Sequence, residues 1–243
     1  MAQFEQLEHG TGRPAAVAGP AGAGTVAARL RASGPPGDGS GDGSGDGIEV
    51  FHQMYLAAAE EVAGPGAGAA PGREPIGPLA VRLVERYLAA VEAAAAGRRA
   101  PDCWRPLLQY RRHPGVRPVQ FALAGLNAHT GHDLALAVID TCRTLRCAPA
   151  DLEEEFERAG DLLLRIEERI DDELMPGPET LEVGDPLLHL LGSWNPERAR
   201  EAAWSSVLVL WRLRDVPTLA EEFRRRTDAG AGLVGRCLLT PCG

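Results

Sequence analysis

The feature that most constrains the fold is residues 118–145, where apolar side chains recur on nearly every side of a helix. A helix that is apolar all round is buried by other elements, because no face of it suits water. The sequence therefore predicts a central helix with further helices packed around it. The apolar side chains are Phe121, Leu123, Leu126, Leu134, Leu136, Val138 and Ile139.

Helical spacing and capping residues outline the surrounding elements. Apolar residues predict helices over residues 48–62 and 78–96, and a short one from residue 101. Asp151 begins a helix whose apolar positions alternate steps of three and four, which is typical of a bundle seam. Two more begin near Asn195 and Pro217. We predict an all-α fold, an orthogonal or up-down bundle of about seven helices.

The first 47 residues differ in composition from the rest, since Gly, Ala, Pro and Ser dominate them. Such residues bury too little apolar surface to offset the entropy of ordering the chain. A Gly-Asp-Gly-Ser repeat over residues 37–47 lacks the closing glutamate of a calcium loop and is typical of a linker. We expect a disordered tail over residues 1–47 and a single helical domain over residues 48–243.

The charge and composition of the chain limit the kinds of partner and cofactor that it is expected to bind. With 34 acidic and 25 basic side chains, the net charge of -9 repels a phosphate backbone, so nucleic acid is not expected as a partner. No signal peptide and no apolar run of about 18 residues is present, so neither secretion nor a membrane is expected. The five cysteines lack zinc-knuckle spacing and indicate packing residues in a reducing cytoplasm. No nucleotide cofactor is expected either.

The central helix also carries the most concentrated polar chemistry. At α-helical pitch His129, His132, Asp133 and Asp140 lie within an arc of about 100°, and Asn127 lies near it. Side chains four residues apart are neighbours, so His129 and Asp133 can converge on one ion or substrate atom. Burying such groups costs free energy unless they are paired, bind a metal or face a wet cavity. We therefore predict a functional site on this face.

The favoured interpretation is a small-molecule enzyme that depends on a divalent metal, most simply zinc, and acts as a hydrolase. His129, His132 and Asp133 would supply three ligands and leave a fourth position for water. His52 and His189 are candidates for further ligands from neighbouring helices.

Two alternatives use the same residues without a metal. In the first, His129 is a general acid or base oriented by Asp133, and Arg200 stabilises a developing anion, as in a cyclase, isomerase or lyase of natural-product biosynthesis. Asn127 and Trp204 would bind the substrate. In the second, the histidines are satisfied core residues, and the protein is a non-catalytic binding or scaffold protein.

Gly131 interrupts this helix with a residue that costs about 1 kcal/mol relative to alanine. A glycine here is expected either to admit a substrate or a facing helix closely, or to mark a local bulge in the helix.

The sequence around these residues resembles an uncharacterised bacterial helical family, a domain of unknown function. The residues that carry the likeness run from Asn127-Ala128-His129 through His132-Asp133-Leu134, matching N-A-H-x-x-H/Y-D-L. Ala199-Arg200-Glu201 with Trp204 resembles the second motif, A-R-E-x-A-W. The likeness spans residues 48–241, with Thr130-Gly131 and Gly160 as departures. It implies an all-helical fold and a shared His/Asp site.

A looser analogy links the chain to helical zinc-dependent phospholipase C and nuclease proteins. These proteins use His-x3-Asp and His-x3-Glu ligand pairs, of which His129 and Asp133 match the first. No His-x3-Glu pair is present in this sequence, so the analogy covers one ligand pair.

Overall fold

All the regular structure in the described part of the chain is helical. The computed structural model describes residues 23–34, 46–63, 77–175 and 195–241, and no strand occurs among them. The prediction of an all-α fold is therefore confirmed. No helix in these residues is both long and apolar enough to cross a membrane.

The helices follow one another with short turns where the chain is described. They are α1 (Ala23–Ala32), α2 (Gly47–Ala63), α3 (Pro78–Ala95), α4 (Arg105–Tyr110), α5 (Pro118–Ala128), α6 (Leu134–Leu145), α7 (Glu153–Leu174), α8 (Pro196–Arg212) and α9 (Pro217–Leu238). Proline occupies the first turn of α3, α5, α8 and α9, where its missing N–H costs nothing. A π-helical turn, His129–Asp133, joins α5 directly to α6.

The segment from α5 to α6 is the centre of the molecule, as its apolar pattern predicts. Every residue from 119 to 130 is buried. Helices α2, α4, α7 and α9 contact α5, whereas α3, α8 and α9 contact the π turn. Because so many elements meet there, the polar side chains of the π turn lie in the interior of the fold.

Helix α1 corrects the predicted extent of the tail. It packs on α2 and α3 through Val26, Ala27 and Leu30, all of which are buried. The expectation of disorder is therefore wrong for residues 23–32, because the four-residue step from Val26 to Leu30 gives this alanine-rich stretch an apolar stripe. Ion pairs of Arg29 with Glu85 and Arg31 with Glu60 flank that stripe. Residues 1–22 and 35–45 of the predicted tail lie outside the described residues.

If α1 is part of the folded domain, Leu30→Ala should lower the free energy of unfolding by about 2–5 kcal/mol, the usual cost of emptying a buried leucine site. Leu233→Ala is the matched control, because Leu233 is 58% exposed and Leu30 is 0% exposed. The control should change stability by less than about 0.5 kcal/mol. Urea unfolding followed by far-UV circular dichroism measures both, and equal stability of the two variants would contradict the role of α1.

Candidate functional site

Four aromatic side chains surround His129, which is 0% exposed. The ring centroids of Trp104 and Tyr55 lie 5.0 and 5.2 Å from the imidazole, and both rings meet it at nearly a right angle. Phe51 and Tyr87 follow at 5.8 and 6.4 Å. We call Phe51, Tyr55, Tyr87 and Trp104 the aromatic cage. It joins α2, α3 and the turn before α4 to the central helix.

The His129 imidazole contacts one acid. Its Nδ1 lies 3.4 Å from Oδ2 of Asp133, and the indole Nε1–H of Trp104 donates to that same oxygen at 2.8 Å. The i, i+4 pair predicted from the sequence is therefore present, and a cage residue holds its carboxylate in place. The side chains of His129 and Asp133 are buried almost completely.

Three polar atoms in the cage are buried without a hydrogen-bond partner among the described residues. They are Nδ1 and Nε2 of His129 and the hydroxyl of Tyr55. Each unpaired buried donor or acceptor costs about 1–3 kcal/mol, so most are paired in folded proteins. Burial raises the pKa of Tyr55 far above its usual value, so the side chain is a neutral phenol that can donate a hydrogen bond.

His52 shows how a buried histidine is satisfied in the same core. Its Nε2–H donates to the backbone oxygen of Leu30 at 3.0 Å, and its Nδ1 accepts from the hydroxyl of Tyr87 at 3.1 Å. Burial lowers the pKa of His52, which favours this neutral form. Both ring nitrogens are thus engaged, and neither is free to bind the metal ion considered from the sequence. His189, the other candidate, lies outside the described residues.

The π turn separates His132 from His129. An ideal π helix advances about 82° per residue and an α helix about 100°, so ideal π geometry separates His132 from His129 by about 115° around the axis, against about 60° in an α helix. Asp133 stays within about 40° of His129 in either geometry. The turn therefore keeps the His129–Asp133 pair together and directs His132 to another face.

On that other face, His132 meets α9. Its Nδ1 lies 3.1 Å from the Thr227 hydroxyl, and its Nε2 lies 3.9 Å from Oδ1 of Asp228. Burial lowers the pKa of His132 more than the neighbouring carboxylates raise it, so the neutral imidazole is favoured. The predicted ligand set of His129, His132 and Asp133 is thus divided between two faces of the turn.

Asp228 also binds the turn before α4. It accepts the backbone N–H of Asp102 at 2.9 Å and that of Cys103 at 2.8 Å. The thiol of Cys103, the imidazole of His132 and the carboxylate of Asp228 have one ligand atom each within 4.8 Å of one another. Among the described residues, no other group of three or more histidine, cysteine and acidic side chains converges in this way. We call these three residues the Cys103 cluster.

Asn127 and Gly131 join the central helix to α9. The amide of Asn127 donates to the backbone oxygen of Ala231 at 2.9 Å. A Cβ at Gly131 would lie 3.0 Å from Cβ of Ala231, so the glycine allows the two helices to approach closely. The expectations that Gly131 admits a facing helix and marks a bulge are both confirmed, since it lies inside the π turn.

Arg200 and Trp204 lie against α7. A Cβ at Gly160 would lie 3.0 Å from Nη1 of Arg200, so the glycine makes room for that guanidinium. Trp204 packs on Phe156 with ring centroids 4.8 Å apart. Among the described residues, no hydrogen bond, ion pair or ring contact joins Arg200 or Trp204 to His129 or Asp133.

A second acidic group lies near Arg200. Burial, and after it the charge of Asp171, raise the pKa of Glu167 to about 7 against the opposing effect of Arg200. Asp140, which the sequence placed on the same helix face as His129, forms ion pairs with Arg86 and, at 3.6 Å, with Arg143. These contacts place Asp140 in a half-exposed ion-pair network, on the surface side of α6.

Sequence reasoning missed the cage and the Cys103 cluster. The cage residues lie on α2, on α3 and in the turn before α4, and nothing in the sequence shows that they face one imidazole. Cys103 and Asp228 are 125 residues apart, with no motif that links them. The single local signal is adjacency in the sequence. Trp104 directly follows Cys103, and Asp133 directly follows His132.

Comparison with known proteins gives one match. Neither a curated protein nor a solved structure matches the chain. A family model described as a family of unknown function, DUF5995, matches residues 26–241. That range contains the cage, the His129–Asp133 pair and the Cys103 cluster, and it confirms the resemblance to an uncharacterised family. The chain belongs to the family of unknown function DUF5995.

Proposed function

We propose that this protein is a small-molecule enzyme in which His129, paired with Asp133, transfers a proton to or from a substrate held in the aromatic cage. The reaction class is that of an isomerase, lyase or cyclase. The observation that carries the proposal is a buried imidazole whose two nitrogens make no hydrogen bond among the described residues, beside a phenol that makes none either. Such atoms cost stability in the free protein and gain their partners when a polar ligand group binds.

The acid–base roles follow from the neighbours of the imidazole. Asp133 lies nearest Nδ1, so it favours the tautomer with the proton on Nδ1 and the lone pair on Nε2. Nε2 then acts as the base, and Asp133 stabilises the imidazolium that forms. Trp104 holds the carboxylate by donating to Oδ2. A distance of 3.4 Å in the free protein suits a contact that shortens once the imidazole is charged.

The cage indicates the substrate class. Aromatic faces and edges bind apolar or cationic groups by dispersion and by the ring quadrupole, and they exclude water from the proton transfer. Tyr55 offers one hydrogen bond beside His129. We therefore expect a compact, largely apolar molecule with one polar group next to the proton that moves. Because His129 is 0% exposed, the substrate reaches it when the helices that carry the cage separate.

The metal-dependent hydrolase expected from the sequence has less geometric support. Its three ligands would have to converge, yet His132 bonds to Thr227 on α9 while His129 faces the cage. Proton transfer by His129 and Asp133 needs no such convergence. A non-catalytic role for the His129–Asp133 pair would be seen as a loss of stability in His129 variants with no turnover to lose.

Deuterium exchange tests this proposal with the substrate still unidentified. The full chain, incubated in D2O with a cell metabolite extract, should label or convert at least one compound, as measured by mass spectrometry. His129→Asn should slow that change by about 10²–10⁴-fold, the usual contribution of a general acid or base. Asp133→Asn should slow it in the same direction, because the imidazole loses its orienting anion.

His113→Asn is the matched control, since His113 is exposed and outside the cage. It should retain the full rate, and far-UV circular dichroism should show that all three variants are folded. The proposal is wrong if the wild-type chain changes no compound, or if labelling continues unaltered in folded His129→Asn protein.

Two tyrosines of the cage give a second prediction, because the hydroxyl of Tyr87 has a hydrogen-bond partner and that of Tyr55 has none among the described residues. Tyr87→Phe should cost about 1–2 kcal/mol, since it leaves Nδ1 of His52 unpaired. Tyr55→Phe should be neutral or stabilise the fold by up to about 1 kcal/mol, because its hydroxyl has no partner to lose. Urea unfolding compares them. Equal destabilisation by the two variants would show that the Tyr55 hydroxyl is bonded within the folded protein, against the proposal.

A further inference from the structure

We infer that the Cys103 cluster binds a divalent transition-metal ion, for which zinc is the best match. Its members come from the turn before α4, the π turn and α9. The cluster shares no side chain with the His129–Asp133 pair. It therefore differs from the ligand set that the spacing of the central helix predicted, and it stands or falls separately from the proposed acid–base reaction.

The hydrogen-bond pattern leaves His132 with a lone pair aimed into the cluster. The Thr227 hydroxyl donates its one hydrogen to the backbone oxygen of Arg224 at 2.9 Å, so it can only accept from His132. Nδ1 of His132 then carries the proton, and Nε2 carries the lone pair. That lone pair faces the carboxylate of Asp228 at 3.9 Å. Two acceptors this close repel each other where they are mostly shielded from water, and a cation between them would remove that repulsion.

The carboxylate is held in position by the same turn that supplies the thiol. Its two oxygens accept the backbone N–H groups of Asp102 and Cys103. Gly232, one turn further along α9, lies against the backbone of Asp102, where any side chain would collide. Outer contacts of this kind orient metal ligands, and Thr227 does the same for the imidazole.

The donor atoms decide which ion fits. Sulfur, imidazole nitrogen and one carboxylate oxygen suit zinc and exclude the oxygen-seeking ions calcium and magnesium. Three protein ligands leave a fourth tetrahedral position for water or a substrate atom. Ligand atoms around zinc lie about 3.5 Å apart, so atoms within 4.8 Å need to close by about 1 Å. On binding, the ion replaces the thiol proton of Cys103, which leaves to solvent as H⁺.

Cobalt(II) is the probe for this site, because a thiolate ligand gives it a near-ultraviolet charge-transfer band. The purified, reduced full chain should bind one equivalent and show that band. Cys103→Ala should abolish the band, whereas His132→Ala and Asp228→Asn should weaken binding at least 10-fold. Excess zinc should remove the band by displacement. Far-UV circular dichroism checks the fold of each variant.

Cys237→Ala is the matched control, since this exposed cysteine lies outside the cluster and should leave the band unchanged. His129→Asn should also keep it, which separates failure of this site from failure of the proton-transfer proposal. The inference is overturned if folded wild-type protein shows no thiolate band with excess cobalt, or if the band persists in Cys103→Ala. Should Asp228→Asn unfold, the comparison of Cys103→Ala with Cys237→Ala still decides the result.

Discussion

The docking of α9 onto the π turn is the constraint on which the rest of the polar interior depends. Within the π turn, His129 and Asp133 remain neighbours, while His132 moves to the face that α9 covers. Asn127 bonds to the backbone of Ala231, and Gly131 allows close contact there. An uninterrupted α helix would place both imidazoles on one face, where they would compete for the same carboxylate.

Much of the fold was predictable because apolar pattern and capping chemistry are local signals. Helices α3, α5, α8 and α9 begin at prolines that the sequence marks as helix starts, and Asn195 caps α8 as predicted. The central helix was predictable because an apolar surface on every side has no other stable place. Helix α1 was not predicted, because the composition was judged over all 47 residues of the tail. That average concealed the short apolar stripe that contains Val26 and Leu30.

The candidate site was predictable only in part. The pairing of His129 with Asp133 needs nothing beyond their spacing, and it is present. The position of His132 depended on α-helical pitch, which fails where the helix becomes a π turn. Partners from other helices depend on tertiary packing, so Trp104 could not be assigned to Asp133 from the sequence. For the same reason the sequence does not show that Arg200, expected to stabilise an anion, lies over Gly160 of α7.

The two polar centres are linked through the backbone. Cys103 precedes Trp104, and His132 precedes Asp133, so each of two adjacent pairs contributes one side chain to each centre. Trp104 donates to Asp133 on the cage side, and Asp228 accepts from the Cys103 N–H on the other. A cation in the Cys103 cluster would therefore fix the backbone that also positions the carboxylate beside His129. Movement of α9 would loosen the Cys103 cluster, because Asp228 and Thr227 lie on that helix, and it would also separate Asn127 of the central helix from Ala231. The contact between α9 and the π turn thus supports the backbone that carries the proposed acid–base pair of His129 and Asp133.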